Sequence, residues 1–456
     1  MDSRFAGKKI LLLDGLTSQC LEYTKAFNGL GCDTTVLCDD RFDTCYASKH
    51  PKHKILGVSN VRDLKGTEEW ILKLVKSGEY DVVIPFTEYS ATILSHHKKE
   101  LSTYAHLIVN DQDVFDYAQD KNNVMKVCME NDLPCPMTIY DAKSVDDILA
   151  SNIKFPIILK PSHGFGSHGF HKIGTKEELA ACVEKFDIDV SEMVVQEYIP
   201  QEGLNVADNL FVDKEGNTKS AFTYASYRFY PIDGGSGVLN ETIDRKDIHD
   251  ISTQLVKKMG LHGPVGVDMI IDARDDTPKV LEVNLRPIAC AKLGFLSGIN
   301  TAQQIMEDLY ADEVTPMQQY KTGIRVRRSQ IDWMWFIKSP NRFKTKPSWF
   351  DRRNTVDQLF SWSDPGPWFD AYKHSRPAVA FDVGALGEQI DDGVTGYLAK
   401  PGDVGQLETQ LRKIIDMPNE QYEQMCMKSY QKGLDAYSAK SREREFLSAI
   451  GVEQGV

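Results

Sequence analysis

The sequence predicts a protein of mixed α/β and α+β class that is divided into several domains. Three observations support this prediction: the chain has 456 residues, strand and helix patterns alternate near its N-terminus, and hairpin patterns dominate its centre. A chain of this length exceeds one ordinary hydrophobic core, so two to four domains are expected. Alternating strands and helices indicate a parallel sheet, whereas successive hairpins indicate antiparallel pairing.

The N-terminal region carries the alternating pattern. The segments KKILLLDG, SQCLEYTKAFNGLG and DTTVLCDD are typical of a strand, a helix and a strand, and a buried strand follows at 80–86. The turn DGLTSQ stands where a dinucleotide-binding glycine loop would stand, but it lacks the spacing GxGxxG. We therefore expect a parallel sheet that does not bind a dinucleotide.

The central region begins near Asp120 with a helix that Pro134 ends. Strand or hairpin patterns follow this helix at 155–161, 193–200, 209–227 and 265–287. Turn residues at Glu215-Gly216 and at 273–278 close the two hairpins. These antiparallel pieces predict an α+β domain, distinct from the parallel N-terminal one.

The C-terminal region is unusual in composition. Five of the six tryptophans lie between Trp333 and Trp368. These aromatic residues either pack against the main body or form an exposed patch that covers a substrate or faces a membrane. The last part of the chain again alternates strand and helix patterns.

Composition narrows the range of partners and compartments. The net charge of −13 argues against nucleic acid or an anionic membrane surface as the main partner, although a local basic patch is compatible with it. No apolar run reaches the roughly 18 residues that span a bilayer, and the N-terminus is typical of a first strand rather than a secretory signal. Nine scattered cysteines without a CxxC pair favour a reducing cytoplasm.

Polar side chains on the strand PKVLEVNLRP indicate a cation site. Glu282, Asn284 and Arg286 alternate with apolar residues and share one face of the strand. The turn at 273–278 can bring Asp268 of the preceding strand beside them. Two carboxylates and an amide suit Mg²⁺, and Arg286 can bind a phosphate or a carboxylate. The alternative is a solvent-facing amphipathic hairpin.

Lys160 closes an apolar strand directly before the segment PSHGFGSHGF, where its amino group can meet a nucleotide phosphate. Gly164, Gly166 and Gly169 allow close backbone approach to anionic oxygens. The lysine precedes the glycines, so the segment is not a P-loop. A plain flexible turn is the alternative interpretation.

Two further segments carry candidate binding residues. The strand VVQEYIP, with Gln196 and Glu197, can present its backbone to an adenine edge and its carboxylate to amine or hydroxyl groups. Arg228 is a candidate anion contact. Solvated polar residues are the alternative at each of these positions.

The order of these segments resembles the ATP-grasp superfamily: DK at 120–121, LPCP, IILKPSHGFGSHG, VVQEYIP and LEVNLRP. The resemblance extends from the N-terminus to about residue 310. With the tail it implies four segments: a Rossmann-like pre-ATP-grasp domain at 1–115, an ATP-grasp domain at 116–315, a Trp-rich connecting segment at 316–376 and a final α/β segment at 377–456. Dimers are common among similar proteins, so the resemblance allows a homodimer.

The resemblance also implies roles for individual residues, with ATP and Mg²⁺ as cofactors and Mn²⁺ as an allowed substitute. The resemblance implies Lys160 and Arg286 as catalytic residues, to which the sequence adds Arg228 as a candidate, and it implies Asp268, Glu282 and Asn284 as metal ligands. The implied nucleotide contacts are Lys121, Lys160, Gly164, Gly166, Ser167, Gly169, Gln196, Glu197, Tyr198, Ile199 and Glu202. Many members of the superfamily carry glutamate where Asp268 stands, but the shorter carboxylate is still an oxygen ligand.

The last eighty or so residues resemble the C-terminal end of two-lobed, Rossmann-type glycosyltransferases, with the turn at 384–388 in place of the GG-x-x-E turn of that family. The basic phosphate-binding residues of that family are not evident upstream. We therefore expect a structural appendage or a sugar-recognition module here, and not a sugar transferase.

The predicted function is ADP-forming ligation of a small-molecule carboxylate to an amine through an acyl phosphate. Two alternatives stay open: a carboxylase-like enzyme that uses bicarbonate, and a nucleotide-binding or glycan-binding protein without turnover. No biotin-acceptor domain is visible for the first. The complete set of lysines, carboxylates and amide argues against the second.

Overall fold

The computed structural model describes residues 3–41, 43–60, 63–163, 170–200, 204–232, 235–368, 378–382, 390–418, 421–422, 424–425, 428–429 and 432. The chain divides into two compact units, Met1–Pro365 and Gly366–Val456. The first unit contains all the predicted nucleotide and metal residues, and its three sheets are described in turn.

The N-terminal sheet has five parallel strands in the order β3-β2-β1-β4-β5, which confirms the predicted Rossmann-like arrangement. Its strands are β1 (Lys9–Leu12), β2 (Asp33–Cys38), β3 (His53–Leu56), β4 (Val82–Ile84) and β5 (His106–Leu107). Its helices are α1 (Ser18–Gly29), α2 (Thr44–Ala47), α3 (Leu64–Lys76), α4 (Glu88–His96), α5 (Lys98–Leu101) and α6 (Gln112–Gln119).

A buried carboxylate fixes the carboxyl ends of β1 and β4. Asp14 follows β1 with a φ of 59°, and its Oδ2 accepts hydrogen bonds from the backbone N–H of Phe86 at 2.8 Å and from Ser90 Oγ at 2.5 Å. The Thr87 side chain caps the N-terminus of α4 by accepting from the backbone N–H of Ser90. These contacts hold the first turn of α4, which carries Glu88, at the sheet edge.

The second sheet is the small antiparallel sheet of the predicted α+β domain, with strand order β6-β9-β7-β8. Its strands are β6 (Thr138–Ile139), β7 (Ile157–Pro161), β8 (His171–Ile173) and β9 (Met193–Glu197). The helices of this part are α7 (Lys121–Glu130), α8 (Val145–Ala150) and α9 (Lys176–Phe186). Ile157, Leu159 and Val195 are fully buried in a core between this sheet and its helices.

The third sheet has seven strands in the order β14-β13-β10-β11-β12-β15-β16. Its strands are β10 (Asn205–Val212), β11 (Thr218–Tyr230), β12 (Ser236–Ile243), β13 (Gly263–Asp272), β14 (Thr277–Asn284), β15 (Arg325–Arg327) and β16 (Thr355–Asp357). The helices α10 (Lys246–Lys258), α11 (Ala291–Ser297), α12 (Thr301–Tyr310) and α13 (Ser329–Lys338) accompany it. Both predicted hairpins are present, as β10–β11 and β13–β14.

The Trp-rich segment is built into this third sheet. It supplies β15 and β16, and Trp335 and Trp349 are buried against Val238 of β12. Trp333 and Phe350 are exposed. Part of the segment therefore packs on the body, as the first interpretation expected, and part of it is exposed. The predicted division at 316 and 376 stays a prediction.

The second unit contains the parallel pair β17 (Ala378–Phe381) and β18 (Gly396–Ala399), followed by the helix α14 (Val404–Ile415). The turn at 384–388 lies outside the described residues, and the glycosyltransferase resemblance stays a prediction. Among the helices that the structure describes, none has the length and apolar character needed to cross a bilayer.

Candidate nucleotide and metal site

The β13–β14 hairpin places the predicted metal ligands on neighbouring strands. Asp268 stands directly opposite Glu282, and a register shift beside Asp268 leaves Leu281 as an extra residue in β14. Strict alternation would put Val280 and Glu282 on the same face. Because the bulge changes the phase of the alternation, Val280 is buried in the core while Glu282 faces Asp268.

The donor set of this hairpin fits a hard divalent cation. Asn284 donates from Nδ2 to Asp268 Oδ2 at 3.0 Å, which leaves the amide oxygen as an acceptor. Within the described residues no three His, Cys, Asp or Glu side chains form a complete metal cluster. Two carboxylates and an amide oxygen are therefore a partial set, of the kind that Mg²⁺ completes with phosphate oxygens and water.

Two lysines from the other lobe lie beside these carboxylates. Lys121, the first residue of α7, has its Nζ 3.8 Å from Glu282 Oε2. Its backbone N–H donates to the carbonyl of Ser162 at 3.1 Å, which ties α7 to the segment after β7. Burial lowers the pKa of Lys160 to about 8, with Glu282 opposing the shift and the Lys121 cation adding to it. The predicted lysines and carboxylates therefore meet at one place.

The electrostatics of the site are unbalanced without a ligand. Burial and the neighbouring Glu282 carboxylate raise the pKa of Asp268 to about 7, although hydrogen bonding to Asn284 opposes the shift. Two close carboxylates and two close ammonium groups are each destabilised by their like neighbour. A cation between the carboxylates and an anion at the lysines would relieve both repulsions.

Glu88 is a site residue that the sequence analysis missed. It lies in the first turn of α4 and forms a short ion pair with Arg286 Nη2. Arg286 Nη1 also donates to the carbonyl of Pro287 at 3.2 Å. The guanidinium is thus held from the N-terminal domain, on the strand face that carries Glu282 and Asn284. The two partners are 198 positions apart in sequence, so no local pattern could reveal the contact.

Asn209 is a second missed residue. It pairs with Gly266, which pairs in turn with Asn284, so the three lie side by side on β10, β13 and β14. A Cβ atom at Gly266 would stand 2.7 Å from Ile288 Cγ2, so glycine leaves room here. Asn209 and Arg286 line a cavity of about 20 Å³, and the Asn209 amide and Arg286 Nε have no hydrogen-bond partner among the described residues. The cavity suits a small polar group beside Arg286.

The predicted nucleotide strand is placed at the connection between the lobes. Gln196 is buried and donates to Thr138 Oγ1 at 3.0 Å. Glu197 does not present a free carboxylate: Oε1 accepts from Lys279 at 2.9 Å and Oε2 from Arg274 at 3.1 Å. These partners lower the pKa of Glu197 against the opposing effect of burial. Glu197 therefore joins β9 to the β13–β14 hairpin by ion pairs.

The two residues after β9 have contacts of their own, and their role as nucleotide contacts stays a prediction. The backbone N–H of Tyr198 donates to the carbonyl of Pro156 at 3.0 Å. The Lys172 ammonium lies 3.6 Å from the centroid of the Tyr198 ring. Ile199 is buried. The predicted contacts Gly164, Gly166, Ser167, Gly169 and Glu202 lie outside the described residues.

Arg228 requires a correction, because the structure gives its guanidinium a structural environment. Nε and Nη2 donate to the two carboxylate oxygens of Asp332 at 2.8 and 3.0 Å, and Nη1 donates to the carbonyl of Pro347 at 3.2 Å. Its side chain is buried beside Trp335. These partners use the guanidinium to join β11 to α13, so Arg228 is withdrawn as a catalytic candidate.

Comparison with known families identifies the central part of the chain. A family model described as an ATP-grasp domain matches residues 118–290. The chain contains an ATP-grasp domain. This domain includes Lys121, Lys160 and the whole β13–β14 hairpin, which confirms the resemblance that the sequence motifs indicated.

One curated protein is similar to this chain in sequence. A D-aspartate ligase of Enterococcus faecium is 28% identical over 252 residues, which cover 51% of this chain and 59% of the ligase. The chain therefore matches less than two thirds of the length of this curated relative.

Solved structures show the same fold at low identity. The biotin carboxylase domain of the 2-oxoglutarate carboxylase of Hydrogenobacter thermophilus, solved with MgADP and bicarbonate, aligns with a TM-score of 0.59 at 16% identity over 70% of this chain and 73% of the other. The N5-carboxyaminoimidazole synthetase of Staphylococcus aureus aligns with a TM-score of 0.55 at 15% identity, over 70% of this chain and 81% of the other. The ATP-grasp domain thus has the architecture of these enzymes.

Proposed function

We propose that this chain is an ADP-forming ligase that activates a small carboxylate with ATP and joins it to an amine. The observation that carries the proposal is the meeting of Lys121 and Lys160 with the paired carboxylates of Asp268 and Glu282. Like charges on each side make this arrangement favourable for a metal-bound polyphosphate. The ATP-grasp domain and the similarity to a D-aspartate ligase support the same conclusion.

The proposed role of each residue follows from its charge. Lys121 and Lys160 would bind phosphate oxygens, and Asp268, Glu282 and Asn284 would hold Mg²⁺, for which Mn²⁺ offers similar coordination. When bound, ATP supplies the phosphoryl group, and the cation offsets the negative charge that develops during its transfer.

The proposed reaction has two steps. A carboxylate oxygen of the substrate attacks the γ-phosphorus, and the bond to the ADP oxygen breaks. The amine nitrogen then attacks the acyl carbon, phosphate leaves, and the nitrogen loses a proton. Arg286, held by Glu88, stands where it can pair with the acyl phosphate.

The identities of the carboxylic acid and of the amine substrate remain to be found by the test. Because the relative is named a D-aspartate ligase, aspartate of both configurations belongs in the first pool of candidate acids. A homodimer and a cytoplasmic location also remain proposals. Light scattering of the purified chain tests the former, and localisation of the tagged chain tests the latter.

The test measures ADP release from ATP with pooled amino acids and small amines, with and without hydroxylamine. An acyl phosphate is trapped by hydroxylamine as a hydroxamate, so we expect both ADP and hydroxamate to appear. Stimulation by bicarbonate alone would instead indicate a carboxylase. ATP binding without ADP release across broad pools would indicate a binding protein without turnover.

A single substitution tests the metal assignment. In Glu282→Gln, one anionic ligand is lost while the shape is kept, so we expect turnover to fall by about 100-fold or more in a folded protein, equivalent to the several kcal/mol that a bound metal contributes. The matched control is Glu184→Gln, an exposed glutamate on α9. Full activity of the Glu282 variant would contradict the metal site.

A further inference from the structure

The Trp-rich segment presents a continuous group of exposed aromatic and aliphatic side chains. Trp333 is 49% exposed, Ile337 62%, Phe343 72% and Phe350 61%. We call these four side chains the aromatic patch. They are far more exposed than large apolar residues usually are, and a contiguous exposed apolar surface generally marks an interaction site.

Ring contacts show that the patch is one surface. Phe336 lies at its centre, with ring centroids 6.0 Å from Trp333, 5.6 Å from Phe343 and 5.8 Å from Phe350. Ile337 stands four residues after Trp333 on α13, which places the two on the same side of the helix.

The base of the patch is rigid. The buried Trp349 packs at 4.3 Å from Phe336, and its indole N–H donates to the carbonyl of Asp332. Asp332 is itself buried between Arg228 and Arg327. The exposed side chains therefore lie on a packed base that Phe336, Trp349 and Asp332 form.

Basic residues are concentrated in the stretch of sequence that carries the patch, and we call them its basic rim. Between Trp333 and Arg353 the sequence has one acidic residue, Asp351, and six basic residues: Lys338, Arg342, Lys344, Lys346, Arg352 and Arg353. Asp332, which directly precedes this stretch, is buried and paired with Arg228. Asp351 is paired with Arg325 and Arg353. Lys338, Lys344 and Lys346 are exposed and have no acidic partner among the residues that the structure describes. This local excess contrasts with the net charge of −13 for the whole chain.

We propose that the aromatic patch and its basic rim bind the surface of an anionic lipid bilayer. Rings that insert at the headgroup level, with lysines that reach the phosphates around them, are the combination that holds peripheral proteins at such a surface. The charge of the rim selects this occupant, because a second copy would bring the same positive rim into contact with itself. The proposal does not depend on the proposed ligase activity.

The test uses the full-length chain and sedimentation with vesicles. We expect binding to phosphatidylcholine–phosphatidylglycerol vesicles, little binding to pure phosphatidylcholine vesicles, and release at high salt. The triple variant Lys338→Ala, Lys344→Ala, Lys346→Ala should lose about 100-fold in affinity, from the contribution expected of three lysines near an anionic surface. The double variant Trp333→Ser, Phe350→Ser should also bind weakly.

Matched controls separate this surface from general effects. Lys99→Ala, Lys154→Ala, Lys176→Ala removes three exposed lysines elsewhere, and Tyr104→Ser removes an exposed aromatic ring from the N-terminal domain. Both controls should bind as the parent does. Absence of vesicle binding, equal binding to neutral vesicles, or equal loss in the controls would overturn the proposal. The proposal would also be overturned if the parent chain did not bind lipid but associated with itself, and if the double variant abolished this self-association. That result would identify a second copy as the partner.

Discussion

At the scale of single residues, Arg286 shows how the site depends on a distant partner. Its guanidinium is held by Glu88 of α4, and Arg286 lines a small cavity together with Asn209. An arginine that must meet a developing acyl phosphate needs a fixed position, because small displacements of charged groups are costly for catalysis. In the proposed reaction, Glu88 therefore acts as a positioning residue for Arg286.

The variant Glu88→Gln tests this role. The amide keeps the shape of the side chain but removes the charge that holds the guanidinium, so we expect hydroxamate formation to fall about 10- to 100-fold. ATP affinity, measured by calorimetry, should be unchanged because Glu88 does not contact the two lysines. The shorter Glu88→Asp should recover part of the rate. An unchanged rate in Glu88→Gln would show that Arg286 does not require this partner.

At this scale the sequence was informative about residue types and less so about partners. The closeness of Asp268, Glu282 and Asn284 could be predicted because hairpin geometry is local, while their role as metal ligands stays a prediction. Arg228 was misassigned because its partner, Asp332, stands 104 positions later. Glu197 looks free in the sequence for the same reason, since Lys279 reaches it from another strand.

At the scale of elements, the packing of β11 on α13 depends on a buried ion pair. Arg228 and Asp332 are both almost fully buried, and Arg327 also approaches the same carboxylate. Removing one partner of such a pair leaves an uncompensated charge in the interior. We therefore expect the loss of one partner to cost more stability than the loss of a surface ion pair that the structure describes.

We expect Arg228→Met to lower the free energy of unfolding by about 3 kcal/mol, the lower end of the range for broken buried pairs, because Arg327 still faces Asp332. Urea denaturation followed by tryptophan fluorescence measures the change, since Trp335 and Trp349 lie beside the pair. ATP affinity should be retained. A loss of ATP affinity in a stable variant would restore Arg228 to the binding site.

Hairpins and long helices could be predicted because turn residues and periodicity are local properties. The bulge at Leu281 could not, since alternation alone gives one continuous phase along β14. The strands β15 and β16 were also missed, because each has three residues and a pattern that short has no recognisable period.

At the scale of the whole molecule, a buried acid in the N-terminal domain makes stability depend on pH. Asp43 is buried before α2, and burial, with the nearby Asp40 carboxylate, raises its pKa to about 8. Between about pH 4 and pH 8 the Asp43 carboxyl group therefore keeps its proton in the folded chain. In the unfolded chain, where its pKa has the ordinary aspartate value of about 4, it has lost that proton. This contribution to stability is complete below about pH 4 and is lost as the pH rises towards 8.

The variant Asp43→Asn should remove this dependence. For the parent, Asp43 contributes a decrease of about 1.4 kcal/mol in unfolding free energy per pH unit within the window. Comparing urea denaturation at pH 5 and pH 8 should show a smaller loss in the variant than in the parent. The exposed Asp141→Asn should behave as the parent does, and an equal loss in both variants would contradict the assignment.

The contact between Glu88 and Arg286 has a practical consequence for dissecting the protein into modules. The segment that matches the family model starts at residue 118. A minimal fragment cut there would retain the proposed metal ligands and both lysines but would lose Glu88, the ion-pair partner of Arg286. The fragment would also lose part of a hydrophobic core, because Phe115 of α6 and Val83 of β4 belong to the same buried cluster as Val206 and Val265. The part of the chain that holds Arg286 in place is thus larger than the segment that the family model matches, and a truncation that keeps this contact must keep the first sheet.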